Sequence, residues 1–370
     1  MNIKGYYKLL SGWRGKMELD QIKLDKILGE YFCKQYIIDI NENYKIEEID
    51  AKELIVPERI DLIAKLKYIE YRENGWDLDF IKEIYTAHIE AFSNGSYTEP
   101  GNDSKNSINK YFNVFNYLID NIKHSGLDNQ ISVIPVGKNN VILDGAHRVA
   151  IAAYFNLKVP IIRFDNLYAD FGVEFFRNRL LKLEYINYLV MEYCKLKNNL
   201  YFVCTWPGLE ENSLIKSNQK NEWKVIYRNK VKISYEGLQN LLNRIDSNLD
   251  WKDEDNDGDN YLTIYLLECD YFSKISELKA SIQDNSKHFI YITNNQKETI
   301  KLANILLIQY SVDLLNRGNS TTYSELQSWT KRKVRNIKHN SRRKLVLLTK
   351  KIGMYRELRV FYRYLKEIVK

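Results

Sequence analysis

Val141-Ile142-Leu143-Asp144-Gly145-Ala146-His147-Arg148-Val149-Ala150 runs from a β-branched apolar triplet into an alanine-rich segment. The triplet follows the turn-forming pair Asn139-Asn140 and reads as a short strand. Val149, Ala150, Ala152, Ala153, Tyr154 and Phe155 read as a helix ending near Asn156. Val159-Pro160-Ile161-Ile162-Arg163-Phe164 then reads as another strand, so residues 144–148 form a strand-to-helix turn.

The chemistry of such a turn is narrow. The first amides of a helix lack intrahelical acceptors, and the helix dipole adds positive potential there. Gly145 lets the backbone approach a ligand closely, and Arg148 can make forked hydrogen bonds to phosphate oxygens. His147 can donate to a phosphate or move a proton, and Asp144 can hold a magnesium ion or a hydroxyl. A phosphate on this turn is therefore physically natural. The plain structural alternative is an Asp144 N-cap with His147 and Arg148 facing solvent.

Upstream, Thr98-Glu99-Pro100 precedes an amphipathic segment from Ser107 to His124, closed by Ser125-Gly126 and followed by Ile131-Ser132-Val133-Ile134-Pro135-Val136. In this order, with Asp-Gly-x-His-Arg between a strand and an Ala-rich helix, residues 95–165 resemble the phosphate-binding region of the ParB/sulfiredoxin superfamily. That superfamily includes partition proteins, sulfiredoxins and free-serine kinases. Sulfiredoxins carry their catalytic cysteine where this chain has Ala146, which excludes their chemistry. Partition proteins carry Glu and Arg at the positions of Ala146 and His147, and no helix-turn-helix signature follows here. The Asp-x-x-His spacing is most similar to that of the kinases.

The resemblance implies an ATP- or ADP-dependent, Mg2+-assisted phosphoryl transfer to a hydroxyl. It assigns Glu99 as the general base, and Asp144 and His147 to the transferred phosphoryl group. Gly145, Ala146, His147 and Arg148 would hold the nucleotide phosphates, with Lys105 as a further phosphate contact and Asp144 as the magnesium ligand. A large C-terminal extension and a basic tail resemble components of bacterial surface-polysaccharide loci, which implies a sugar, glycan or small-molecule acceptor.

The chain has 370 residues, 28% of them charged, enough for two or three domains. Cys33, Cys194, Cys204 and Cys269 are scattered without a CxxC pair and read as buried thiols of a reducing compartment. No signal-peptide h-region follows Met1, and no apolar run reaches the ~20 residues of a membrane span, so the expected location is cytoplasmic. The net charge of +7 is uneven. Residues 331–370 hold 15 Lys/Arg against two acids, a net of +13, which leaves 40 basic and 46 acidic residues, a net of −6, elsewhere.

The expected class is mixed α/β (α+β), built in five parts. Residues 1–95 read as a helical cap, with a helix starting at Pro57-Glu58 and a second apolar face at Ile81, Ile84, Tyr85, His88, Ile89 and Phe92. His88 on that face reads as a core histidine, and Arg59 and Lys65, which could reach a substrate, read first as surface charges. Residues 96–165 read as the ParB/sulfiredoxin-like core and 166–198 as a helical connector. Residues 199–315 alternate strands (200–204, 224–227, 262–267, 289–292) with helices (235–245, 273–282, 298–315), as a second α/β domain. Within it Asp253, Asp255, Asp257 and Gly258 imitate a calcium loop, but Ile264 stands where the loop needs Glu, so a solvated acidic turn is expected.

Residues 320–370 read as a basic amphipathic tail, with Met354, Leu358, Phe361 and Leu365 interleaved with Arg356, Arg359, Arg363 and Lys366. Such a tail suits an anionic inner-membrane surface, each engaged basic residue adding on the order of 1 kcal/mol. Nucleic acid and an acidic protein face are the competing partners. Against the kinase expectation stands a non-enzymatic, ParB-like regulator that switches on a nucleotide or binds nucleic acid, and behind it an inert scaffold.

Overall fold

Val159, Ile161 and Ile162 place apolar side chains on both faces of one strand, which suits it to the middle of a covered sheet. In a computed structural model of the chain, Lys158–Phe164 (β3) is the central strand of a three-stranded sheet. The structure describes residues 24, 27–38, 44–99, 105–127, 133–206, 223–245, 261–283 and 289–317. The calcium-like stretch 253–258, Ile131 and Ser132, and the basic tail 320–370 lie outside the described residues.

The chain is a mixed α+β protein, with eleven helices and two sheets among the described residues. It divides into two compact units, residues 1–70 with 89–171 and residues 71–88 with 172–370. In the first unit Ile46–Asp50 (β1) lies antiparallel to β3, with Ile46 opposite Ile162 and Asp50 opposite Lys158. Ile134–Gly137 (β2) runs parallel to β3 on its other side, Ile134 opposite Ile161 and Gly137 opposite Phe164. The stretch read as a helical cap thus contributes an edge strand. Its Glu47 and Glu48 face solvent, and Ile46, Ile49 and Asp50 are only half-buried, so it carries little of the apolar alternation by which strands are read.

The first unit's described helices are Glu30–Tyr36 (α1), Asp61–Glu73 (α2, of which residues 61–70 belong here), Asp79–Phe92 (α3, residues 89–92), Ile108–Ser125 (α4) and Ala146–Tyr154 (α5). Pro57–Arg59 is a separate 3-10 turn, and α2 starts only at Asp61. Ser107 caps α4 by accepting the Lys110 amide, and Gly126 ends it, as its sequence implies. Tyr68 of α2 stacks on Phe115 of α4 at 5.4 Å and donates its hydroxyl to Asn116 Oδ1 at 3.0 Å. Behind the sheet Phe32, Tyr44, Val133, Leu143, Ile162 and Phe164 form one apolar cluster.

The second unit has a four-stranded, fully antiparallel sheet in the order β5-β6-β4-β7. These strands are Leu200–Trp206 (β4), Lys224–Lys232 (β5), Tyr261–Glu268 (β6) and Phe289–Ile292 (β7). Residues of β4 are buried on both faces, so helices cover both sides. Those in the downstream chain are Val173–Asn178 (α6), Leu183–Cys194 (α7), Tyr235–Ile245 (α8), Phe272–Gln283 (α9), Gln296–Leu306 (α10) and Gln309–Asn316 (α11). The single helix expected over 298–315 is two, broken at Leu307-Ile308. His88 is a core histidine, fully buried edge-on to Tyr85 at 4.9 Å. All four cysteines are buried and none is disulfide-bonded, and burial pushes the Cys194 and Cys204 thiols up to about 12. No helix among the described residues is long and apolar enough to cross a membrane.

Candidate functional site

The triplet 141–143 touches the sheet through a single antiparallel bridge, Val136 to Ile142, rather than as a full strand. Gly137 N–H donates to Val141 O at 2.8 Å and Leu143 N–H to Pro135 O at 2.9 Å. These two bonds flank the bridge, so Ile142's own amide and carbonyl point away from β2. The tight 138–140 turn holds Asn139 and Asn140 at φ of 60° and 59°, as asparagine tolerates. At Asp144-Gly145 the chain leaves the sheet, which is why no longer strand forms.

Gly145 sits at φ 81° as the N-cap of α5. Two constraints require glycine here. The left-handed backbone disfavours a side chain, and a Cβ would lie 2.6 Å from Ile134 Cδ1 and 3.0 Å from Arg148 Nη2. The Arg148 guanidinium therefore lies folded against the glycine, with Nη2 3.6 Å from Asp144 Oδ2. The helix start has no side-chain cap, so Asp144 does not play the N-cap role of the plain alternative. Nor does His147 face solvent. It is buried, edge-on to Phe115 of α4 at 4.6 Å and 6.3 Å from the Tyr111 ring.

Glu99 and Lys105 meet. The Glu99 amide donates to Lys105 O at 3.1 Å, and the Lys105 ammonium lies 2.5 Å from Glu99 Oε2, an ion pair outside hydrogen-bond alignment. The same ammonium stands over the Tyr111 ring, 5.6 Å from its centroid. Burial, and then the Glu99 carboxylate, raise the Tyr111 phenol well above its ordinary value. Glu99, Lys105, Tyr111 and His147 thus form one contiguous cluster, and Asp144 with Arg148 forms a second pair one turn of chain away. Ala146 and Gly145 supply the backbone between them.

Beneath the turn lies a charged group that the sequence reading placed on the surface. Arg59 and Lys65 are each only 3% exposed, and Asp61 between them 1%. Arg59 Nε and Nη2 donate to the two Asp61 oxygens at 2.8 and 3.0 Å, and Lys65 Nζ donates to Asp61 Oδ2 at 2.8 Å. Arg59 Nη1 donates to the carbonyl of Ile142, and the guanidinium lies over the Phe171 ring. Although burial opposes ionisation, the two cations and their hydrogen bonds hold the Asp61 carboxyl far below the ordinary carboxylate range. Burial lowers the Lys65 ammonium, which also feels repulsion from Lys105. Tyr36, at the end of α1, is raised by burial first, with Arg59 lowering and Asp144 raising its value.

Sequence reasoning missed Tyr111, Tyr36 and Asp61. The spacing of Asp61 and Lys65, four apart in an otherwise apolar helix face, is the one local signal that could have shown the buried pair. Tyr111 carries no such signal, because its neighbours come from other elements.

A nucleotide-bound magnesium ion needs only one or two protein carboxylates, the phosphates and water supplying the rest, and the Asp144 carboxylate is half-exposed, with Arg148 Nη2 3.6 Å away. Among the described residues no group of three or more His, Cys, Asp and Glu side chains could hold a metal by itself. In comparisons with known proteins, no family model, no curated protein and no solved structure matched the chain.

Proposed function

We propose that the chain is an ATP- or ADP-dependent phosphotransferase acting on a hydroxyl of a sugar, glycan or small molecule. The observation that carries this reading is the cluster in which Glu99 and Lys105, six residues apart, reach through Tyr111 to His147 of the Asp144–Arg148 turn. The uncapped start of α5, Gly145 without a Cβ, and Arg148 folded over it supply donors for phosphate oxygens. In the ligand-free pair Lys105 neutralises Glu99. An arriving phosphate competes for the ammonium and leaves the Glu99 carboxylate to accept the acceptor's proton, as general-base catalysis requires. Magnesium, held by Asp144 and the phosphates, would offset charge on the transferred group. His147, 9% exposed, would act on the transferred phosphoryl group beside Asp144. Peripheral attachment to an anionic inner membrane through residues 320–370, and a surface-polysaccharide acceptor, belong to the same proposal.

Thermal unfolding with magnesium plus ATP, ADP or CTP tests it, beside Arg148→Ala. A ligand at ~100 times its dissociation constant stabilises by about 2.7 kcal/mol. ATP or ADP should raise the melting temperature of the wild type but not of Arg148→Ala. A shift with CTP alone supports the ParB-like switch instead, and no shift with any nucleotide overturns the phosphate reading of the turn.

A further inference from the structure

Ile142 is fully buried, and its carbonyl points away from β2 because the bonds at Val141 and Leu143 use the other side of the chain. A buried carbonyl at a sheet edge needs a donor, and among the described residues Arg59 Nη1, 83 residues away along the chain, supplies it. The rest of that guanidinium is fixed by the Asp61 fork, and Asp61 by Lys65. A chain of buried groups therefore runs from Ile142, two residues before Asp144, through Arg59 and Asp61 to Lys65.

We propose that Arg59 is the positioning residue of the 144–148 turn, holding Ile142 so that Asp144 and Gly145 leave the sheet at a fixed point. Asp61 orients Arg59, and Lys65 completes the charge balance without touching the turn. The proposal deepens the phosphotransferase reading, but its first test needs no nucleotide.

Arg59→Lys keeps a cation for Asp61 and loses the fork that spans Asp61 and Ile142. Lys65→Met removes the other cation and leaves that fork in place. Hydrogen exchange of the full chain should show residues 141–150 exchanging about tenfold faster in Arg59→Lys, relative to the rest of residues 44–70 and 105–171, through local opening. In Lys65→Met the same segment should change only in step with the remainder. Equal, uniform acceleration in both variants would mean a merely structural charge cluster and would overturn the proposal, as would an unchanged 141–150 segment in Arg59→Lys. Should Arg59→Lys not fold, Asp61→Glu, which displaces the fork without changing any charge, is read by the same comparison. Where the wild type binds ADP, Arg59→Lys should weaken that binding about tenfold and Lys65→Met much less, since only the former releases the turn. If the wild type binds no nucleotide, the phosphotransferase reading fails, while the exchange data still decide the role of Arg59.

Discussion

Gly145 is where residue chemistry and the candidate site meet most sharply. Its backbone lies in the left-handed region, and any Cβ overlaps Ile134 Cδ1. Gly145→Ala should therefore lose about 1–3 kcal/mol from backbone strain alone, with the overlap added, as read from urea midpoints. Pairing it with Ile134→Val, which deletes the overlapped methyl, should recover part of the second contribution, a coupling of about 1 kcal/mol in a double-mutant cycle. Additive losses would mean that the strain is all in the backbone. The sequence marked Gly145 as a place where a ligand nears the backbone, whereas the left-handed conformation and the Ile134 contact that require glycine come from the fold. The burial of Arg59 and Lys65 was legible only in part, because Asp61 lies two and four residues away but the Ile142 carbonyl that Arg59 serves lies 83 residues along the chain.

At the scale of elements, the register of helix on strand in the second unit rests on a relay of hydroxyls. Phe202 N–H donates to Thr293 Oγ1 at 2.9 Å, the two threonine hydroxyls are 2.9 Å apart, and Thr299 Oγ1 donates to Leu200 O at 2.7 Å. Both threonines are fully buried. This relay pins the first turn of α10 to β4. Thr299→Val keeps the shape and strands a carbonyl and a hydroxyl, so it should destabilise the chain by about 1–3 kcal/mol in chemical denaturation. The expected strands at 200–204, 224–227, 262–267 and 289–292 all form, since β-branched and aromatic runs between turn residues carry that information locally. The strand β1 and the break at Leu307-Ile308 were not legible. The one owes its pairing to β3, over a hundred residues on, and the other to no glycine or proline.

For the whole molecule, acid stability should report the buried triad. Asp61 has a folded-state value depressed below its unfolded 3.8, so its contribution is complete above that value and is lost as pH falls through the folded one. Breaking the pair by Asp61→Asn should cost about 3–5 kcal/mol at pH 7. The gap between wild type and variant should then narrow by about 1 kcal/mol at pH 3, because only the wild type pays protonation there. A gap independent of pH would show that Asp61 titrates normally.

The sequence by itself determined the mixed α+β class, most helices and strands, the glycine turn at 144–148, and a charge distribution concentrated in the last forty residues. These follow from periodicity and turn chemistry, which act over a few residues. Tertiary structure alone decided that β1 joins β3, that Glu99 pairs with Lys105 over Tyr111, and that His147 turns inward onto Phe115. It alone also placed Arg59 beneath the turn. Each of these needs groups distant along the chain to meet where water is excluded, and there a charge or a carbonyl must find its partner.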